Sequence, residues 1–456
     1  MSPELDVAVV GAGMAGLAAA TELARAGLDV RVFEAAEQVG GRTASVRVDG
    51  YTIDAGAEQL SPRGYRATWE LLSRLGIGEH EVPLISSPIA MWRGGRPHAG
   101  VADARGLLTG AGLSPLARVD LARFQLWLSR RRGEFDTDDP ERTPLGAATV
   151  AEFARAYHPD LHDYLLQPVV GTFFGWNTER SAAAVMLSLL LAVGDASGWR
   201  TYRGGMDVLA RRLAATLDVR TGHRVHQVVS TGQAARLLVG EETVTARAVL
   251  LCVPAPVAAR LHPGAPEVEA DFLRACTFTP ALKVSCLLDR PLAPRHGPPP
   301  YLLLTPESED DVLSAIIFDH QKHPDRTPAG AGLLTLMPNA ATTARLLDLP
   351  DEDVITRLAT AAADYVPGLA AATRRTFAHR HPLGLPEATP AALGLRSRFM
   401  ARRLRPVDYA GDWVMLRPAS EGAVRSGALA ASRVLSRLRA PLSIPIQARS
   451  RRVETA

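Results

Sequence analysis

Apolar and polar positions along the chain open with a β–α–β pattern. Residues 6–10 (Asp-Val-Ala-Val-Val) form a short apolar run, as a strand buried on both faces requires. Small, helix-favouring residues follow over Ala15–Ala26, with Gly27 placed as a C-cap. The next run, Val30-Arg-Val-Phe, ends at Glu34, which predicts a compact βαβ unit of about 30 residues. From about 85 to 200 the chain is rich in Leu, Ala and Arg, with helical spacing at Leu121, Phe124, Leu126 and Leu128. That spacing predicts a helical layer.

The pattern changes near 203. Gly204-Gly205-Met206 precedes an amphipathic helix carrying Val208, Leu209, Leu213 and Leu217. Alternating strands follow at Val219–Val229, Ala235–Val239 and Ala246–Val253, the last ended by Pro254. The segments 281–288, 301–304, 312–318 and 333–337 predict a second sheet, and 350–364 a helix. From about 409 the order is strand, loop, helix, ending near Leu438. Residues 441–456 have no periodic apolar pattern and are expected to form a flexible C-terminal tail.

Composition narrows the function classes. A chain of 456 residues, 47% hydrophobic and 22% charged, has room for two or three packed modules. Its net charge of +3 comes without a basic stripe interleaved with aromatics, so nucleic acid is not an expected partner. Cys252, Cys276 and Cys286 lack C-x-x-C spacing, which argues against a disulfide framework and a zinc site. Glu4 and Asp6 stand where a secretory signal needs basic residues, so a cytoplasmic location is expected. The apolar run Ala182–Val193 is too short to span a bilayer. It is expected to pack as a helix over the substrate cavity, with peripheral membrane contact as the lesser alternative. Of the 51 Lys and Arg residues only Lys283 and Lys322 are lysines. A lysine retained in such a chain draws notice, because Lys can lose its proton and Arg cannot.

Gly11-Ala-Gly13-Met14-Ala15-Gly16 has G-x-G-x-x-G spacing between the first strand and the first helix. Gly11 permits the tight turn, Gly13 lets the backbone approach a pyrophosphate, and Gly16 lets helix and strand lie close. Glu34 is placed to accept hydrogen bonds from a ribose. Gly40-Gly41-Arg42 follows directly, and its arginine can meet the same phosphates with charge-assisted bonds. The stretch is similar to one that in a large flavoprotein family makes a second pyrophosphate contact, and that resemblance implies FAD rather than NAD.

With these motifs the chain resembles the FAD-dependent superfamily of amine oxidases, protoporphyrinogen oxidases and phytoene-type desaturases. Further blocks carry the likeness: Ile53-Asp-Ala-Gly56-Ala57, Arg203-Gly204-Gly205-Met206 with the strand around Val225, and Tyr409-Ala-Gly411-Asp412 followed by Glu421-Gly422-Ala423. The resemblance implies that Gly56 and Ala57 lie beside the isoalloxazine and that Val225 meets the adenine. Asp412 can accept bonds from the ribityl chain. A helix beginning at Gly422 and Ala423 can stabilise charge at the pyrimidine edge. The implied fold is α/β, a discontinuous Rossmann-type FAD-binding domain (1–85, 203–270 and 385–440) with an inserted α+β substrate-binding domain (86–202 and 271–384). No cysteine lies within 411–427, so FAD is expected to be held non-covalently.

The resemblance also implies hydride transfer from a substrate C–H bond to flavin N5. Lys283, on a stretch similar to the strand where amine oxidases carry a lysine near N5, is the catalytic candidate; a surface or edge-strand lysine is the alternative. Glu58, Gln59 and Trp413 are candidate substrate contacts. Arg417-Pro-Ala-Ser420 stands where amine-acting relatives place aromatics, and Trp413 after Asp412 is similar to the desaturase pattern. The expected reaction is therefore dehydrogenation of a small, largely apolar or ring-bearing substrate, with dioxygen or another electron acceptor. Amine oxidation to an imine with hydrogen peroxide, and redox-neutral isomerisation, are the alternatives. His379 and His381 lack further spaced ligands, so no metal is expected.

Overall fold

The computed structural model describes residues 3–439; the expected tail at 441–456 lies outside them. One seven-stranded sheet contains β1 (Leu5–Val10), β2 (Val30–Phe33), β3 (Asp218–Arg220), β4 (Val225–Thr231), β5 (Ala234–Val239) and β6 (Glu242–Leu251) in the order β3-β2-β1-β6-β5-β4. Its seventh strand, Val407–Tyr409, runs parallel to β6. The central strand β1 is parallel to both neighbours, with Val7 opposite Val30 and Ala248. It is buried at every position except Asp6, which explains why its sequence is a continuous apolar run.

Two helices pack on this sheet. Helix α1 (Met14–Arg25) leaves β1 through Gly11, whose φ is +102°. A Cβ on Gly16 would lie 2.0 Å from the Gly11 carbonyl oxygen, so only glycine lets the helix sit this close to the turn. Helix α2 (Ser420–Arg439) crosses α1 at Gly427, where a Cβ would lie 2.4 Å from the Ala15 oxygen. The N- and C-terminal segments of the described chain thus build one layer together.

The second seven-stranded sheet is mixed. It contains β7 (Phe278–Leu288), β8 (Leu302–Leu304), β9 (Leu313–Phe318), β10 (Gly332–Pro338) and β11 (Thr373–Pro386), ordered β11-β7-β10-β9-β8 and continued by the hairpin Ile89–Arg93/Arg96–Ala99. The hairpin corrects the expectation of a purely helical layer from 85 to 200. Its two-residue turn, Gly94-Gly95, has φ of +58° and +79°, the left-handed pair that a tight hairpin requires. The helices expected in that region follow it. Pro115–Arg130 buries Leu121 and Phe124 but leaves Leu126 half exposed, and the run at 182–193 forms the helix Ala183–Val193.

Candidate functional site

A cavity of about 990 Å³ runs from the Gly-rich turn, between the two sheets, to the helices that lie between residues 104 and 193. At the turn end it is lined by Gly11, Gly13, Met14, Ala15, Glu34, Gly41 and Arg42. Gly13 is the N-cap of α1 and has no side chain to satisfy the first N–H groups of the helix. A Cβ there would meet nothing within 4 Å, so the space above the helix N-terminus is open where an anion would gain most. The Glu34 carboxylate accepts from the Ala12 N–H at 2.7 Å and the Ala36 N–H at 2.9 Å. It therefore braces the turn while facing the cavity, with acceptor capacity left for hydroxyls. An open phosphate cradle, exposed helix N–H groups and a carboxylate at ribose distance along the chain fit a dinucleotide such as FAD.

Further along, Gly56, Ala57, Gly411, Asp412, Trp413 and Ala423 line the cavity. Arg42 and Asp412, expected to make separate cofactor contacts, pair with each other through two bonds of 2.8 Å, and Arg42 also donates to the Gly384 oxygen at 2.9 Å. A Cβ on Gly56 would lie 2.1 Å from the Arg42 oxygen, and one on Gly422 would lie 2.3 Å from the Arg417 oxygen. Both glycines serve close backbone passage. The buried Trp413 donates from Nε1 to the Val253 oxygen at 3.1 Å. Gly16, Gly422 and Val225 lie outside the cavity lining; Val225 is buried at the start of β4.

A buried charge cluster lies under the cavity and forms its floor through Lys283 and Glu58. Lys283, on β7, donates to the Gly56 oxygen at 2.5 Å and to Glu58 Oε1. It is 5% exposed, which excludes a surface role. The other oxygen of Glu58 accepts from Lys322 Nζ at 2.5 Å. Lys322 also donates to Asp54 Oδ2 at 2.7 Å and lies 3.4 Å from Asp319 Oδ1. Arg326 adds a contact of 3.2 Å to Asp54. Gln59 is held beside this cluster by the Tyr301 hydroxyl, which donates to its Oε1 at 2.9 Å. Asp319, Lys322 and Arg326 lie in no motif of the sequence, and Asp54 lies in the Ile53–Ala57 block without a role of its own. The scarcity of lysine was the one available signal, and it applied equally to Lys322.

Burial sets the titration of these groups against their partners. Burial would raise the Asp54 pKa, but Arg326 and Lys322 outweigh it and hold the carboxyl well below the usual range. Burial opposes the charge on Lys322, yet Asp54, Glu58 and Asp319 hold its ammonium above the ordinary lysine value. Asp319 is pushed up to about 6, by burial first, with Lys322 opposing. His379 is brought down to about 4 by burial and by Lys283 and His381, and burial also lowers His381, whose Nε2 meets the Ala55 oxygen at 3.0 Å. No group of three His, Cys, Asp or Glu among the described residues could hold a metal ion.

The Asp319 shift has a measurable consequence. A carboxyl with a raised folded-state pKa keeps its proton after the unfolded chain has lost it, so its contribution to stability falls as pH rises from about 4 to about 6. Buried neutral histidines act in the opposite direction over an overlapping range, so the effect is read as a difference. Asp319→Asn is expected to gain roughly 2 kcal/mol relative to the parent chain between pH 4 and pH 7. Urea unfolding at the two pH values measures it, and a difference that does not change with pH contradicts the assignment.

Beyond the floor the cavity is apolar, lined by Leu113, Phe124, Phe173, Leu189, Leu190 and Ile317 among others. The helix Ala183–Val193 covers this part, with Leu189, Leu190, Leu191 and Val193 facing it. Four carboxylates reach the lining: Glu34, Glu58, Asp195 and Asp412. Glu34 is occupied by backbone N–H groups, Glu58 by the two lysines, Asp195 by Arg63 and Asp412 by Arg42. Pro418, Ala419 and Ser420 form the wall before α2 and bring no aromatic ring. Among the described residues no helix is long and apolar enough to cross a membrane.

Comparison with known proteins agrees with this geometry. The profile of the flavin containing amine oxidoreductases matches residues 14–435. AofH of Mycobacterium tuberculosis, described as a flavin-containing monoamine oxidase, is 27% identical over 303 residues, covering 64% of this chain and 61% of that protein. Protoporphyrinogen oxidase 2 of Arabidopsis thaliana is 28% identical over 248 residues, 46% of this chain and 47% of that one. The matched stretch thus spans less than two thirds of each of these relatives. The structure of cyclohexylamine oxidase from Brevibacterium oxydans IH-35A superimposes with a TM-score of 0.77 at 18% identity, over 96% of this chain and 100% of that one. The two share an α/β fold in which a Rossmann-type sheet stands beside a mixed sheet.

Proposed function

The chain belongs to the flavin-containing amine oxidoreductase family, and we propose that it binds FAD non-covalently and dehydrogenates a small, largely apolar or ring-bearing molecule. The first N–H groups of α1 and the open space at Gly13 would receive the pyrophosphate, and Glu34 the ribose hydroxyls. Arg42 and Asp412 would face the cofactor as a coupled pair, because each holds the other in place. The N-terminus of α2 at Ala423 would meet the far end of the ring system. Bound FAD supplies the two-electron acceptor. The protein's own part is to hold a C–H bond against it, keep water out with the apolar wall, and present the Lys283 ammonium beside it as a fixed positive charge. The domain division at 85, 203, 271 and 385 is part of the same proposal.

One observation carries the choice of substrate class: beyond the Gly-rich turn every carboxylate in the lining is paired with a cation, and the floor carries a lysine. An ammonium-bearing substrate entering this cavity would lose its water and gain no free counter-charge, which is costly. The names of AofH and cyclohexylamine oxidase favour the competing reading, oxidation of an amine. Paired ligands separate the two. Cyclohexylmethylammonium and its neutral isostere cyclohexylethane, titrated into the flavin-loaded protein and read by the visible flavin band, should differ by at least about tenfold in Kd. The neutral member is expected to bind tighter. Tighter binding of the ammonium member contradicts the proposal.

A further inference from the structure

Only two lysines occur in the chain, Lys283 and Lys322, and both donate to the same carboxylate, Glu58. Lys283 lines the cavity, whereas Lys322 does not and its side chain is fully buried. The ammonium of Lys322 stands among three carboxylates: Glu58 at 2.5 Å, Asp54 at 2.7 Å and Asp319 at 3.4 Å. A tetrahedral ammonium can direct three donors to three separate acceptors from one point, whereas a planar guanidinium presents its donors in one plane. That geometry accounts for lysine at 322 in a chain that writes arginine almost everywhere else. The outer carboxylates are themselves fixed. Asp54 Oδ1 accepts from Ser45 Oγ at 2.7 Å and from the Met206 N–H at 2.9 Å, and Asp319 Oδ2 accepts from Thr335 Oγ1 at 2.8 Å. Two corners of the triangle are thus held by the core, and Glu58 is the corner that reaches the cavity.

We propose that Lys322 is a positioning residue for the cavity: it clamps one oxygen of Glu58 so that the other pins the Lys283 ammonium against the Gly56 carbonyl. Gly56 and Lys283 both line the cavity, so this places a fixed positive charge where the bound flavin gains negative charge on reduction. The inference rests on the reading that this cavity takes FAD. Lys322 touches neither cofactor nor substrate and acts only through Glu58.

The rarity of lysine makes the first test direct. Protein labelled with [13Cε]lysine gives two side-chain signals, and the Lys322→Met chain gives one, that of Lys283. Under the proposal the Lys283 signal moves and broadens in Lys322→Met, and it moves likewise in Glu58→Gln. A Lys283 signal unchanged in Lys322→Met overturns the clamp, whatever Glu58→Gln does. If Lys322→Met fails to fold, Lys322→Arg, which keeps the charge but presents its donors in one plane, takes its place and must likewise move the Lys283 signal. This measurement needs no flavin, so it stands even if the cavity does not take FAD; failure to retain FAD would instead refute the function proposed above.

The second readout is the midpoint potential of the bound flavin. Lys322→Met removes a positive charge and Glu58→Gln a negative one, so direct through-space effects would shift the potential in opposite directions. Release of Lys283 predicts that both variants lower it. Opposite shifts, or none, overturn the proposal.

Discussion

A Gly13→Val chain is expected to fold normally and to lose its FAD. The backbone at Gly13 has φ −75°, which valine tolerates, and a Cβ at this position meets no protein atom within 4 Å. The cost to the apoprotein is then limited to a poorer helix N-cap, on the order of 1 kcal/mol. The isopropyl group, however, occupies the space through which a pyrophosphate must approach the first N–H groups of α1. Loss of those charge-assisted contacts should weaken FAD binding by about 100-fold or more. Gly16→Val gives the contrasting result, because its Cβ falls 2.0 Å from the Gly11 oxygen and the helix cannot keep its place. The ratio of flavin to protein absorbance after reconstitution, with the melting temperature of the apoprotein, separates the two effects. Full flavin retention in Gly13→Val would place the cofactor elsewhere.

Lys283→Met is expected to slow flavin reoxidation by dioxygen by about 100-fold and to lower turnover with it, the magnitude associated with removing one preorganised charge at a reacting centre. The substitution should not unfold the protein. Methionine fills a similar volume, and Glu58, which loses one partner, keeps Lys322 at 2.5 Å. A buried carboxylate is thus never left without a cation, the condition under which such changes become strongly destabilising. Stopped-flow reoxidation of the substrate-reduced protein measures the effect. Unchanged reoxidation and turnover would make Lys283 a structural residue.

The Gly-rich end of the cavity was legible in the sequence because its parts are local. Gly11, Gly13, Gly16 and Glu34 lie within one βαβ unit, and each has a steric or hydrogen-bonding reason that spacing reveals. The two sheets were also largely readable, since their strands are apolar runs bounded by turns. The hairpin at Ile89–Ala99 was not, because a two-residue Gly94-Gly95 turn inside an Arg- and Leu-rich stretch is a short signal beside the helical spacing that follows. Pairings across long separations were invisible. Arg42 and Asp412, 370 residues apart, each carried a cofactor motif but nothing that showed they bind one another. The charge cluster was the largest omission. Asp54 and Lys322 are 268 residues apart, and they meet only because the hairpin Ser45–Val48/Tyr51–Asp54 docks beside the short helix Asp319–Lys322 that follows β9. Lysine scarcity pointed to both lysines, but only Lys283 lay on a stretch with a recognised role.

On the proposed function the cavity holds FAD and passes it electrons from an apolar substrate rather than from an amine. Anaerobic mixing of the flavin-loaded protein with polyene and porphyrinogen substrates, and separately with alkyl mono- and diamines, tests it most directly. Bleaching of the flavin band by a member of the first group, no bleaching by the amines, and recovery of the band on aeration is the predicted result. Bleaching by the amines alone would contradict it.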